Sequence, residues 1–289
     1  MQQVESVSSE RARRFASACQ PQAAGAPVDS QVGVGTARKG MRQRLWSFAT
    51  GVIRDRPRVR SLIDVARSLT RSAAGNVCTC TLCGKQGRFL PMGVPLRIDA
   101  ACPGCGSLER HRLFGLYLRQ HPDIVAGRIV LHFAPERPVA MAVRAAGPEI
   151  YRSADIEVGR ANLQLSLEQI DLPDESVDLV IASHILEHVD DGRALGELRR
   201  ILTPGGHAVI MVPIVEGWDE TYENRAVTTN AERIRHFGQS DHIRVYGRDL
   251  RNRIAAAGLA LTEYTARAQD CLDHGLQRGE KIFIATKAA

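Results

Sequence analysis

From Ala126 to the C-terminus, short apolar runs alternate with segments of helical periodicity, and no other feature limits the possible folds so strongly. GRIVLHFA, EIYRSADI, VDLVIASH, GGHAVIMVP, LALTEYTA and KIFIATK read as strands, and RPVAMAVRAA, DDGRALGELRRIL and GRDLRNRIAAAG as helices between them. Such βαβ alternation predicts a mostly parallel sheet covered by helices on both faces. No internal repeat is visible.

Upstream, CTCTLCG and CPGCG place Cys80, Cys83, Cys102 and Cys105 in a C-x2-C-x18-C-x2-C array. Each C-x2-C turn brings two thiolates to one side of a knuckle, and two knuckles complete a tetrahedral Zn2+ site. Four protein ligands leave no open position, so such a zinc folds its module and does not catalyse. Free thiols or disulfides are the alternative. Gly84 and Gly106 follow the second cysteine of each pair, where the chain must turn tightly. Cys78 is a spare that could replace Cys80, through a less usual C-x4-C knuckle. The next segment, GSLERHRLFGLYLRQ, reads as a helix capped by Ser107 that leads into the following domain. Glu109, Arg110, His111 and Arg112 are expected on an exposed face of it, with substrate reading as the alternative.

The first 75 residues differ from the rest in charge. They carry 13 Arg and Lys against 5 Asp and Glu, about +8, so the whole-chain charge of +6 leaves the remainder near −2. The basic character therefore belongs to an N-terminal extension, which weakens a nucleic-acid argument from charge alone. Residues 1–40 have almost no large apolar groups and are expected to be disordered. Residues 41–75 read as two basic amphipathic helices, with Leu45, Trp46, Val52 and Ile53, then Val59, Leu62, Ile63 and Leu69, on their apolar faces. They are expected to pack on their own protein, with a peripheral membrane or protein contact through residues 41–72 as the alternative. No apolar run reaches the ~18–20 residues that span a bilayer, and the first residues lack the core of a secretory signal. A cytoplasmic protein is the expectation. The implied organisation is a tail (1–40), basic helices (41–75), a zinc ribbon with linking helix (76–120) and an α/β domain (121–289).

Within the α/β region, LPDESVDLVIASHILEHVDDGRALGELRRILTPGGHAVIMVP, Leu172 to Pro213, resembles the class I S-adenosylmethionine-dependent methyltransferases, in the subgroup with LEHV and PGG at this spacing. A ribbon ending in CPGCGSLERHR is similar to that of bacterial methyltransferases with an N-terminal zinc ribbon. The resemblance spans roughly residues 126–289. It implies a Rossmann-like class I methyltransferase fold with a seven-stranded, mostly parallel sheet, and S-adenosylmethionine as cofactor. In that family the first strand ends in an acidic residue and a Gly-x-Gly turn; here His132 takes the acidic place, and Ala134 and Glu136 the glycine places. Glu136 is expected to supply the displaced carboxylate for the cofactor's ammonium or sulfonium. Asp155 is placed to accept the ribose hydroxyls, as in nucleotide folds generally. Ser183 falls at the carboxyl end of a central strand, where open α/β sheets place ligands. The adenine side offers no clear acid, only a backbone N–H near Leu167.

Methyl transfer from a sulfonium is an in-line displacement in which the enzyme aligns the nucleophile and, for a hydroxyl, removes its proton. Candidate bases are His184 at the strand end, and His236 or His242 paired with Asp241 in HFGQSDHIRVYG; His188 reads as structural. VEGWDETYENR, with Trp218 and Tyr222, is a candidate pocket cover. The favoured acceptor is a small molecule or glycan methylated on oxygen. RNA methylation through the ribbon and the Arg-rich extension, or a non-catalytic binding protein on the same fold, are the rivals. Aromatic residues make up only 5% of the chain, which gives little support for a base-stacking channel.

Overall fold

The protein is described by a computed structural model, which places residues 2–19, 77–93 and 95–289. The amphipathic helices expected at 41–75 lie outside the described residues, as do residues 20–40 of the expected tail.

The centre of the molecule is a seven-stranded sheet in the order β12-β13-β9-β8-β5-β6-β7. Its strands are β5 (Ile129–Phe133), β6 (Ile150–Asp155), β7 (Leu163–Gln164), β8 (Val177–Ser183), β9 (Leu202–Met211), β12 (Leu259–Thr265) and β13 (Lys281–Lys287). Strands β5 to β9 pair in parallel, and β13 lies antiparallel between β9 and β12. This is the Rossmann-like class I methyltransferase fold that the sequence implies. Each expected strand and interstrand helix is present, with ends shifted by up to three residues.

The continuous apolar runs have a direct cause. Ile129, Leu131 and Phe133 of β5 point into one core, with Val180 and Ala182 of β8 and Ala208 and Ile210 of β9. Val130, Leu179, Ile181 and Val209 point into the other. Both faces exclude water, so the central strands are almost wholly apolar and their polar residues, such as His132 and Asp178, are hydrogen-bonded inside. Helix Asp191–Ile201 covers the first core through Ala194, Leu195, Leu198 and Ile201, its N-terminus capped by Asp190, which accepts from the Arg193 N–H at 3.0 Å. Helix Arg137–Ala145 and the linking helix Glu109–Gln120 cover the second core. Asp178 ties the base of the sheet, accepting from the Ile129 N–H at 2.9 Å and the Thr203 hydroxyl at 3.0 Å.

The connection from β7 to β8 contains no helix, and this accounts for a departure from expectation. Residues Gln2–Ala18, expected within a disordered tail, form an α-helix. Its Phe15 is fully buried in the first core with Leu131 and Leu167, and Arg11 reaches Asp178 at 3.1 Å. One fully buried phenylalanine contributes about 2–3 kcal/mol, only part of an ordering cost of about 1–2 kcal/mol per residue, and Ala12 and Cys19 pack on the same core beside it. The N-terminal helix thus covers core that a crossover helix would otherwise cover.

Candidate functional site

The cysteine module is two copies of one turn. In each, the residue after the second cysteine is a left-handed glycine, Gly84 at φ +72° and Gly106 at φ +76°, whose N–H bonds back to the first cysteine's carbonyl. The four sulfurs converge: Cys80 to Cys105 and Cys83 to Cys102 are each 3.7 Å apart, and all four lie within 4.8 Å of one another. A tetrahedron with Zn–S bonds of ~2.3 Å has edges of about 3.8 Å, so these sulfurs stand where a zinc would hold them. Cys78 is turned away, its sulfur 3.6 Å from the Leu272 carbonyl. Ser107 is not the helix cap expected of it. The cap position is Leu108, and the Ser107 hydroxyl instead sits 3.2 Å from Cys105 and 3.4 Å from Cys80.

The linking helix does not present an exposed face, which corrects that expectation. Glu109, His111 and Arg112 are all buried. Glu109 pairs with Arg97 of the ribbon at 2.7 Å. Arg112 donates to the carbonyls of His274, Ala100, Ser107, Asp99 and Gly275, joining ribbon, helix and the β12–β13 connection. These residues were misread because a charged quartet looks like a solvated face when the neighbouring module is unknown.

At the carboxyl edge of β5 the glycine-free turn does what a glycine turn does. Ala134 adopts φ +42°, and its N–H bonds to the Ala154 carbonyl at 2.8 Å. The chain then enters helix Arg137–Ala145 with Glu136 as its N-cap residue and Pro138 in the first turn. Glu136 lies 3.3 Å from His111 Nε2 and 3.8 Å from both His132 Nε2 and Arg110 Nε. Burial alone would raise its pKa, but His111 and His132 more than offset that and hold it well below the ordinary carboxylate range. Glu136 Oε2, His132 Nε2, His111 Nε2 and Arg110 Nε are nonetheless buried without a hydrogen-bond partner. These groups offset one another as ion pairs without forming hydrogen bonds, so an acceptor and several donors keep hydrogen-bonding capacity that a small zwitterion could use. The sequence located Glu136 and His132; Arg110 and His111 come from the ribbon helix, whose proximity only the fold reveals.

Asp155 ends β6, half-exposed, its Oδ1 accepting from the Glu157 N–H at 2.9 Å. Beside it Ile156 is exposed, an apolar side chain on the same edge. Asn162, on the same edge, is occupied structurally through Ser153, whose N–H and hydroxyl donate to its Oδ1 at 3.1 and 2.9 Å. The Leu167 side chain is buried in the first core, within the Ser166–Gln169 turn. Ser183 ends β8, and His184 follows at φ +55°. A left-handed histidine costs on the order of 1–3 kcal/mol, and such strain collects at functional positions.

The acceptor-side residues divide. His236 is hydrogen-bonded to Tyr222 Oη at 2.6 Å, in the pairing of β10 (Tyr222–Glu223) with β11 (Arg244–Val245). Asp241 faces His188, at 3.5 Å. The expected His236–Asp241 pair is therefore not formed, because left-handed Gly238 ends helix Asn230–Phe237 and reverses the chain between them. His242 is buried beside His188, ring centroids 4.7 Å apart, and burial lowers its pKa, keeping the imidazole neutral at pH 7. Tyr222 is committed to this framework, while Trp218 is the exposed aromatic of the expected cover.

Glu280, just before β13, sits in the field of His184, Glu109 and Arg110; burial pushes its pKa up to about 7, and its Oε2 has no partner. A carboxyl raised above its unfolded value of 4.5 contributes stability fully present below pH 4.5 and lost as pH rises through about 7. Glu280→Gln is expected to stabilise the protein at pH 8 by on the order of 1–3 kcal/mol and to change little at pH 4.5. Urea unfolding at both pH values checks this; equal effects would reject the assignment.

Comparison with known proteins adds the following. Residues 140–210 match the model of a family described as a methyltransferase domain. None of the curated proteins matches the sequence. Among solved structures, an S-adenosylmethionine-dependent methyltransferase from Mesorhizobium loti is similar at 15% identity and TM-score 0.44, over 60% of this chain and 97% of that one. One from Archaeoglobus fulgidus is similar at 17% identity and TM-score 0.42, over 61% and 94%. The 1,6-didemethyltoxoflavin-N1-methyltransferase of Burkholderia thailandensis, solved with 1,6-didemethyltoxoflavin and S-adenosylhomocysteine, is similar at 14% identity and TM-score 0.41, over 93% and 97%. No helix of the described residues is long and apolar enough to cross a membrane.

Proposed function

We propose that the chain is an S-adenosylmethionine-dependent methyltransferase acting on an oxygen of a small molecule or glycan, with a structural Zn2+ held by Cys80, Cys83, Cys102 and Cys105. The observation that carries the proposal is the set of buried, unpartnered polar atoms around Glu136 at the carboxyl edge of β5. The match of residues 140–210 to a methyltransferase-domain family supports it.

When bound, S-adenosylmethionine supplies a methyl group activated by its sulfonium. Glu136 would accept from the ammonium of the methionine part, and Arg110 and His111 would donate to its carboxylate. His132 holds Glu136 in place while its other ring nitrogen is hydrogen-bonded to Tyr151 Oη at 3.0 Å. Ala134, lacking bulk beyond Cβ, admits close approach at the turn. Asp155 would accept both ribose hydroxyls, Ile156 would lie along the adenine, and the backbone near Leu167 would meet its edge. Ser183 and His184 close the floor at the end of β8, with His184 and His242 the imidazoles able to take the acceptor's proton. The ribbon helix becomes one wall of this cleft, so zinc would support catalysis through architecture alone.

Asp155→Ala is expected to weaken S-adenosylmethionine binding at least tenfold, the loss of two hydrogen bonds to a charged group, without changing thermal stability. Equilibrium dialysis measures this, and an unchanged affinity would reject the ribose role.

A further inference from the structure

We propose that Glu187, His188 and His242 form a site for a divalent cation of the first transition row, such as Mn2+ or Zn2+. One ligand atom from each of Glu187, His188 and His242 lies within 4.8 Å of the other two. A triangle of that edge has its centre about 2.8 Å or less from each corner, so sub-ångström to ångström side-chain shifts reach ligand distances of ~2.0–2.2 Å. His184 lies outside this triad and contacts only Glu187, its Nδ1 3.2 Å from Oε1.

The state of Glu187 is the independent observation. The residue is 1% exposed, and neither carboxylate oxygen has a hydrogen-bond partner. A buried carboxylate whose close cationic neighbour is His184, in a contact that makes no hydrogen bond, is costly in a folded chain, and such groups are normally fully paired or bound to metal. The imidazoles of His188 and His242 are the other two ligands. His188 Nδ1 lies 3.2 Å from the Asp241 carbonyl, which can only accept, so Nδ1 carries the proton and Nε2 keeps its lone pair. Outer partners of this kind fix tautomer and orientation in metal sites.

The frame is also rigid. The Ile243 N–H bonds to the Glu187 carbonyl at 3.0 Å, and Arg244 and Tyr246 both donate to the Leu186 carbonyl, at 2.6 and 3.1 Å. These bonds clamp the His242 loop onto the 3-10 turn Leu186–His188 that follows β8. Imidazoles with a single carboxylate favour Mn2+, Fe2+ or Zn2+ over the oxygen-seeking Mg2+ and Ca2+.

The role of such a cation rests on the methyl-transfer reading. With the cation bound His242 is a ligand and no longer a base; open coordination positions would face the end of β8, where a bound acceptor hydroxyl would release its proton to water. Its oxygen would then bond the methyl carbon as the carbon–sulfur bond breaks, the electron pair staying on sulfur.

The test uses full-length protein with the ribbon's zinc in place, titrated with Mn2+ and followed by loss of the free-ion paramagnetic resonance signal, without S-adenosylmethionine. One Mn2+ per chain is expected. Glu187→Gln and His242→Gln should each weaken binding at least tenfold, while Glu232→Gln on the neighbouring helix leaves it unchanged. In thermal melts Mn2+ should raise the wild-type midpoint and not that of Glu187→Gln, whose metal-free form should be at least as stable as wild type. No Mn2+ binding, or binding indifferent to both ligand substitutions, overturns the site. A chain that binds Mn2+ but not S-adenosylmethionine keeps the site and loses the methyl-transfer reading; the reverse result removes the cation alone.

Discussion

Cys102→Ser is expected to lose the ribbon's zinc and, with it, the fold of residues 77–106. The ribbon's own buried cluster is small, Cys78, Cys80, Phe89 and Cys102 with Leu82 and Cys105 packed against it. Two-residue strands β1 (Cys78–Thr79) and β2 (Gln86–Gly87) add little. So slight a core cannot meet the entropy of ordering some thirty residues, and metal coordination, worth about 10–16 kcal/mol in small zinc modules, must make up the difference. The readouts are zinc content after dialysis and limited proteolysis, which should cut the variant near Gly84–Gly106 and spare the wild type. A mercurial thiol reagent should release about one Zn2+ per wild-type chain. Retention of zinc and protease resistance in the variant would refute the ribbon assignment.

Replacement of Arg112 by Met should be nearly as damaging. The guanidinium is fully buried, stacks 4.6 Å above the Phe89 ring and satisfies carbonyls from three segments of chain. Methionine would fill much of the volume and leave those acceptors dry. The expected cost is about 3–5 kcal/mol, the usual result of removing one partner from a buried charged network. Lysine should not rescue it, because an ammonium cannot present five donors in a plane. Because Arg112 joins the ribbon to the β12–β13 connection, cofactor affinity should fall as well, through the displaced Arg110 and His111. Urea unfolding decides: a loss below about 1 kcal/mol would mean that the junction is not held by this side chain.

How much of this was legible beforehand follows from where the information lies. Strands β5, β8, β9 and β13 were readable because their apolar runs answer to a local rule, burial on both faces, and the part-exposed β6 and β12 because aliphatic and aromatic residues stand between turn signals. The cysteine knuckles were readable because spacing and two glycines fix them within a few residues. The turn after β5 was readable as a turn built without glycine, and Ala134 occupies the left-handed region that a glycine would. Helix Gln2–Ala18 was not, because one phenylalanine and a few alanines carry its docking and the space it fills arises from a missing crossover helix. Arg112 and the Glu136 pocket were not readable either. Each depends on which residues meet across the junction between ribbon and sheet, and no periodicity encodes that. The expected His236–Asp241 pair failed for a related reason: proximity in sequence was taken as proximity in space, across a helix end that separates them.

The most direct measurement is isothermal titration of the full-length protein with S-adenosylmethionine. Binding of one cofactor per chain is expected, weakened by Asp155→Ala. Absence of heat at millimolar cofactor, in protein that melts cooperatively and carries its zinc, would contradict the assignment of the β5–β6–β8 edge as a cofactor site.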